Sequence, residues 1–364
     1  MRMKKIILIA AVAIAAAACS KTFDTNLATE KAIGFGTWAE NLTKARTTGN
    51  ETGAFKVGDT FNVYGTKTKE STPYVVFSGD VVTAASDGAT GFTWDYTIKR
   101  YWDPSATQYD FFAVLPAGTL SAEENEGDYA KTGLFKGSYT FPAPTAIEAD
   151  ILVADKKTVP AANFTQDVNL TFNHIASCVD LKVKQDKAMG TGVVVKVTSL
   201  SIEGIQNVGN YAVSGYSPFT VGWSNQSGNE NYTVTLSSPV IANLETEYDP
   251  STHAGTTTNL ETAATLFANY VFMPQNLTTQ KIKLSYTIQV GTEEPNVYKD
   301  VEVFLNTFQE NDTNDNSATA ITAWAPKTHY IYYLTIGADN VITFTATVAE
   351  WAVTTSNGYH YIFD

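Results

Sequence analysis

Alternation of apolar and polar residues is the feature that most limits the folds open to this chain. In KIKLSYTIQV, residues 281–290, every second side chain from Ile282 to Val290 is apolar and those between them are polar. NVITFTATV, residues 340–348, alternates in the same way, and similar strand-like runs lie at 60–64, 74–77, 109–114, 168–183, 193–202, 232–236 and 329–336. Because successive side chains of a strand point to opposite faces, these runs predict strands with one apolar face.

Clusters of Gly, Pro, Asn and Asp, such as SDGATG and SNQSGNEN, separate these runs and supply turn residues. Many short strands with one apolar face must bury that face against a second sheet, so the sequence predicts an all-β fold of β-sandwiches. The length favours two domains, and PAANFTQ, residues 160–166, places the boundary between a sandwich at 47–165 and another at 166–364. Only residues 123–129 and 261–270 look capable of a helical turn or a short helix.

The N-terminus has the pattern of a secretion signal. Basic residues precede an apolar run at 6–18, which at about 13 residues is shorter than the roughly 20 that a spanning helix needs. Three alanines directly before Cys19 resemble the lipobox of bacterial lipoproteins, although Ala16 stands where leucine is usual. The alternative is an ordinary signal peptidase site with Cys19 incidental. We predict a signal peptide at 1–18, a lipidated Cys19 and therefore an outer-membrane lipoprotein.

Residue types that carry catalysis or bind metals are few and scattered. Apart from Cys19 the only cysteine is Cys178, in an apolar strand-like run, so we expect an inert buried thiol and no cysteine-based metal site. The histidines form no H-x-H or H-x-x-x-H pair, and a centre built from them would need long-range convergence that the sequence cannot show. There is no nucleophile elbow, P-loop or dinucleotide fingerprint, so we predict neither an enzyme nor a cofactor. The net charge of −13 argues against nucleic acid as a partner.

Aromatic residues in FTWDYTIKRYWDP offer a weak binding hypothesis. Trp94, Tyr101 and Trp102 could form a platform for a sugar ring. The alternative is that these side chains fill the first sandwich, which is favoured because Trp and Tyr usually bury most of their surface.

An ordered set of segments carries a resemblance to a known family. Cys19 is followed by AIGFGTW, an arginine in a turn, FKVGDTFNVYG, RYWDPSATQYDFFAVLP, LTFNHIASCVDLKV, VTSLSIEGI and the terminal YYLTIGADNVITFTATVAEW. Together they resemble the fimbrillin family of Bacteroidetes, the subunits of type V pili. The resemblance implies two tandem transthyretin-like Greek-key β-sandwich domains and export as a lipoprotein. It also implies assembly with other fimbrillin subunits into a cell-surface fimbrium.

The resemblance further implies processing by an arginine-specific protease. Cleavage would follow Arg46 and leave a chain that begins at Thr47, removing a propeptide at 19–46; Lys44 lies close enough to be an alternative site for a protease that accepts lysine. The propeptide would carry a plug strand, with Ile33, Phe35 and Thr37 on one face, whose loss opens an apolar groove in the first domain. After signal removal the only other arginine is Arg100, in a segment expected to be structured.

In this family a C-terminal strand of a neighbouring subunit fills the opened groove. The candidate donor is YHYIFD, with Tyr359, Tyr361 and Phe363 alternating, and ITFTATVAEW, residues 342–351, is the rival. The competing hypothesis is a non-polymerising outer-membrane surface lipoprotein that binds glycan through Trp94 and Trp102. A host or bacterial surface ligand fits either hypothesis, and the short tail leaves both a stalk and a tip position open.

Overall fold

The computed structural model describes residues 31–37, 55, 57–86, 92–120, 135–214, 219–244, 263–310, 319–337 and 342–351. Within these ranges the protein is nearly all β, which confirms the predicted fold class, while Greek-key connectivity stays a prediction. The described residues form no α-helix, and they contain no helical segment with the length and hydropathy needed to cross a membrane. The short helices are 3₁₀ turns at Ile147–Ala149, Ala161–Asn163, Lys187–Met189 and Leu305–Thr307.

The described residues between 35 and 174 form ten strands. They are β1 (Phe35–Thr37), β2 (Thr60–Lys69), β3 (Thr72–Ser86), β4 (Phe92–Asp95), β5 (Gln108–Leu115), β6 (Phe135–Thr140), β7 (Leu152–Ala154), β8 (Lys157–Pro160), β9 (Val168–Leu170) and β10 (Phe172–His174). One sheet has the order β10-β7-β5-β2-β3-β4, with β8 beside β5, and β1 pairs with β9 in a second, two-stranded sheet. Side chains from both sheets share one apolar core, which is rich in aromatic rings. We call this part the first sandwich.

The described residues after 174 form fourteen more strands. They are β11 (Ser177–Gln185), β12 (Val193–Ile205), β13 (Val208–Ser214), β14 (Thr220–Ser227), β15 (Glu230–Val234), β16 (Val240–Ile241), β17 (Asn243–Leu244), β18 (Ala264–Phe272), β19 (Lys281–Val290), β20 (Asn296–Phe304), β21 (Gln309–Glu310), β22 (Thr319–Ala320), β23 (Thr328–Ile336) and β24 (Ile342–Glu350). A sheet ordered β17-β11-β23-β24-β21-β22, with β18 also beside β11, packs on a sheet ordered β15-β12-β19-β20, with β16 beside β12. Burial alternates along β19 as its sequence predicts.

The predicted boundary at 165/166 divides strands that pair with each other. Strand β9 pairs with β1, and β10 pairs with β7, so both belong to the first sandwich. Strand β6 pairs instead with β13, in a three-stranded sheet ordered β14-β13-β6. A separate apolar cluster, containing Phe112, Val153, Tyr211 and Trp351, joins residues from both predicted domains.

The expected short helix at 261–270 is not found in the described part of that stretch. Residues 264–272 form β18, which pairs antiparallel with β11. The strand buries Leu266, Phe267, Val271 and Phe272. Tertiary burial therefore outweighs the helix-forming residues of ETAATLFANY.

A buried polar pair links the two parts of the chain. The Asp150 carboxylate lies 2.7 Å from Nδ1 of His174, and both side chains are almost fully buried. The His174 ring stacks on the indole of Trp351, with 3.6 Å between ring centroids and 5° between planes. His174 lies on β10 and Trp351 directly follows β24, so this stack ties the first sandwich to the last described strand.

Candidate functional site

The N-terminal segment, defined as residues 31–37, occupies a slot in the first sandwich. On one side β1 pairs in parallel with β9, and the Val168 amide donates to the Gly34 carbonyl at 2.8 Å. On the other side the Ile33 amide donates to the Arg100 carbonyl at 2.8 Å, and Ala32 forms an antiparallel bridge with Tyr101. The segment is therefore hydrogen-bonded along both of its edges.

Two side chains of the segment are buried in the core. Ile33 is 0% exposed and Phe35 is 5% exposed. The Phe35 ring makes edge contacts at centroid distances of 5.6–5.9 Å with four rings, which are Phe61, Phe77, Tyr96 and Phe111. These four rings would lose an apolar neighbour if the segment left, so the segment fills a groove lined by aromatic rings.

Glycines alternate with the buried residues, and the side chains of Asp167 and Asn169 lie over their open face. A Cβ atom on Gly34 would lie 2.5 Å from Oδ1 of Asp167, and one on Gly36 would lie 2.3 Å from Oδ1 of Asn169. The pattern Ile-Gly-Phe-Gly thus combines large residues facing the core with close backbone approach to the residues around β9. Lys31 adds a salt bridge to Asp167 at 2.9 Å.

Residues 96–103 form the wall of the slot opposite β9. The Tyr96 hydroxyl donates to the Ile33 carbonyl at 2.7 Å, and burial raises the pKa of this phenol, which keeps the donor protonated. Arg100 is held by its side chain as well: Nε donates to the Val76 carbonyl at 3.0 Å and Nη2 lies 3.2 Å from Asp80. This anchoring agrees with the expectation that Arg100 lies in structured backbone, where a protease has poor access.

Asp103 fixes the same wall to the sheet. Its carboxylate lies 2.8 Å from Nζ of Lys67 and 2.7 Å from Nζ of Lys69, both on β2. Burial alone would raise the pKa of Asp103, but hydrogen bonds from Lys67, Lys69 and Ser105 outweigh burial and hold the pKa well below its usual range.

We expect Asp103→Asn to lower the free energy of unfolding by about 1–3 kcal/mol at pH 7, because it weakens charge-assisted hydrogen bonds. A carboxylate whose pKa is lower when folded stabilises the protein above the unfolded pKa of about 3.9, and this stabilisation is lost as the pH falls towards the folded pKa. Denaturant titrations should therefore show that the native protein and the variant differ in free energy of unfolding by a constant amount near neutral pH. This difference should shrink below about pH 4. A difference independent of pH down to strongly acid conditions would contradict the assignment.

The structure places the other predicted site residues in two groups. Cys19, Lys44, Arg46 and Thr47, and the donor residues Tyr359, Tyr361 and Phe363, lie outside the described residues. The rival donor lies inside them, where β24 pairs along its whole length with β23 in the second sandwich. Residues 342–350 are thus part of their own sheet.

The proposed glycan platform is wrong. Trp94 is only 9% exposed and packs against Phe55 and Phe61, while Trp102 is 6% exposed and stacks on Phe164. Both indoles fill the first sandwich, as the alternative interpretation had it, because burying these rings removes more apolar surface from water than a surface position would. Tyr101 alone of the three is exposed.

A family model described as fimbrillin-like matches residues 43–351. The chain belongs to the fimbrillin-like family. The matched residues begin after the N-terminal segment, so they include the groove walls and exclude the strand that occupies the groove. Membership in this family supports a role as a fimbrial subunit at the cell surface and gives no indication of an enzyme. No curated protein matches the chain.

Two solved structures from Bacteroides species are similar to this chain. The fimbrillin-like chain is similar to a fimbrial protein from Bacteroides vulgatus ATCC 8482, with a TM-score of 0.54, 17% identity, and coverage of 88% of this chain and 99% of that one. It also matches a protein assigned to cell adhesion from Bacteroides uniformis ATCC 8492, with a TM-score of 0.46, 15% identity, and coverage of 88% and 98%. At these identities the first similarity shows a shared fold.

Sequence reasoning missed the residues that build the slot. The predicted boundary puts strand β9 in the second domain, yet it forms one wall, and the backbone of Arg100 forms the other. The alternation of Val168 and Leu170 was the available signal. It could not show which sheet the short strand joins, because that depends on long-range pairing.

Proposed function

We propose that this chain is a structural or accessory subunit of an adhesive pilus, exported as a lipoprotein through Cys19, cleaved after Arg46 and assembled by donor-strand exchange. The observation that carries the proposal is the burial of Ile33 and Phe35 in a groove of the first sandwich. Both residues precede Arg46 in the chain, so a single cut there would detach the whole N-terminal segment from residues 47–364.

The groove has the properties that strand exchange needs. It offers backbone partners on both edges, at Val168 and at Arg100, and an aromatic floor. Departure of the segment would leave those groups unpaired, and an incoming strand with alternating apolar side chains could satisfy them. Each of the two buried side chains contributes roughly 1.5–3 kcal/mol of apolar burial, which keeps the groove closed until cleavage.

The partners follow from this mechanism. They are neighbouring subunits that donate or accept a strand, an arginine-specific protease, outer-membrane lipid held through Cys19 before processing, and a surface ligand of the assembled pilus. We propose the residues around Tyr359, Tyr361 and Phe363 as the donor, since the rival segment already pairs with β23.

Treatment of the purified chain with an arginine-specific protease tests the proposal. N-terminal sequencing is expected to give Thr47, because Arg100 is held by Val76 and Asp80, and size-exclusion chromatography is expected to show oligomers only after the cut. Arg46→Ala should abolish both the cut and the oligomers, whereas Lys44→Ala, which changes a basic residue two positions away, should leave both intact.

Normal assembly of the Arg46→Ala protein would exclude cleavage at Arg46 as the trigger. Clean cleavage with a product that stays monomeric would favour the non-polymerising lipoprotein instead.

A further inference from the structure

Three side chains with metal-binding atoms converge on one face of the second sandwich. Cys178 and Asp180 are two positions apart on β11, so they point to the same face, and His329 lies directly opposite Cys178 on the neighbouring parallel strand β23. The sulfur, a carboxylate oxygen and an imidazole nitrogen all lie within 4.8 Å of one another. No short sequence motif predicts this arrangement, because the two strands are far apart in the chain.

The hydrogen bonds around these atoms are incomplete. Oδ1 of Asp180 accepts from the Asn269 amide at 2.7 Å and lies 3.1 Å from Nε2 of His329. Nε2 is nevertheless a buried atom with no hydrogen-bond partner among the described residues, so the carboxylate lies off the direction in which this nitrogen would donate. Two ligand atoms of one tetrahedral ion are also about 3.3 Å apart, and the lone pair of each points to the ion rather than to the other ligand atom.

We propose that Cys178, Asp180 and His329 form a binding site for a divalent transition-metal ion of the Zn²⁺ type. Sulfur, imidazole nitrogen and carboxylate oxygen together suit Zn²⁺ and its relatives, whereas Ca²⁺ and Mg²⁺ prefer oxygen alone. Three protein ligands leave a fourth position for water. The His329 side chain is 22% exposed although its Nε2 atom is buried, and Cys178 is buried, so the site lies just beneath the surface.

Without an ion, the three residues would be a buried, inert thiol beside a carboxylate and an imidazole. Cysteine binds a metal ion as its thiolate, so an ion that binds here displaces the thiol proton.

The site would also link two neighbouring strands, and a third lies beside them. It joins β11 to β23, and His329 is paired with Ala349 on β24, two residues before Trp351. An ion at this place would hold the strands next to the stack of Trp351 on His174. Binding of an ion to the folded chain alone should raise the thermal midpoint as the ion concentration rises.

Titration of the full chain carrying Cys19→Ser with Co²⁺ tests the proposal, since Cys178 is then the only thiol. The expected result is a thiolate-to-Co²⁺ charge-transfer band in the near ultraviolet with visible bands typical of tetrahedral Co²⁺, both removed by Zn²⁺. Cys178→Ser should abolish the charge-transfer band, and His329→Gln or Asp180→Asn should weaken binding by at least about 10–100-fold, because even partners that only orient a metal ligand have effects of this size.

Asp167→Asn is the matched control, because the Asp167 carboxylate is exposed on the first sandwich, and it should bind Co²⁺ as the parent does. Absence of the charge-transfer band from the parent chain at saturating Co²⁺ would overturn the proposal without any variant. Persistence of the band in a folded Cys178→Ser protein would overturn it as well.

Discussion

Replacing Phe35 by alanine is expected to lower the free energy of unfolding of the uncleaved chain by about 3–5 kcal/mol. The ring is buried among Phe61, Phe77, Tyr96 and Phe111, and its loss leaves a cavity that the surrounding strands cannot close. Denaturant unfolding followed by circular dichroism measures the difference.

The same variant should assemble faster once it is cut after Arg46. A segment that has lost its largest apolar contact leaves the groove more readily, so a donor strand finds the groove open more often. Time courses of oligomer formation after protease addition would show this effect. Phe304→Ala is the matched control, because Phe304 is 42% exposed at the end of β20, and we expect it to change neither stability nor assembly rate appreciably.

Equal stability of the Phe35→Ala and native chains would mean that the segment is not the groove-filling element. A Phe35→Ala protein that is less stable but assembles at the native rate would place the segment in the core without a role in exchange.

Removing the carboxylate of Asp150 is the second large effect: we expect Asp150→Ala to lower the free energy of unfolding by about 3 kcal/mol. His174 would keep its buried position against Trp351 and lose its 2.7 Å partner, which leaves an unpaired polar ring in the interior. Because the pair links the first sandwich to the residue after β24, we expect the stack on Trp351 to loosen, and Trp fluorescence during unfolding should report it.

Asp150→Asn removes the carboxylate charge but keeps a side chain that can still hydrogen-bond to His174. The amide has the same size and its oxygen can accept from Nδ1, so the loss should be clearly smaller than with alanine. Equal losses for the two variants would contradict a role for the hydrogen bond, and no loss for either would contradict the importance of the pair itself.

The sequence predicts strands β19 and β24 from KIKLSYTIQV and NVITFTATV, because one face of each run is apolar. Burial alternates along β19 as this pattern predicts. The sequence also predicts Ile33 and Phe35 on one face of the N-terminal segment, and both side chains are buried.

Features that depend on long-range pairing could not be predicted from local patterns. The alternation of β9 and β10 predicts strands and does not reveal that they pair with β1 and β7 rather than within the second sandwich. The convergence of Cys178 with His329 depends on the parallel register of β11 and β23, which no spacing in the chain specifies. The prediction of a short helix at 261–270 is wrong for a related reason, because pairing with β11 determines the structure of β18.

Mass spectrometry of the subunit recovered from assembled filaments tests the central claim most directly. The account predicts a chain that begins at Thr47, with Ile33 and Phe35 absent from the filament. Filaments built from uncut chains, in which residues 31–37 are still joined to residues 47–364, would contradict it.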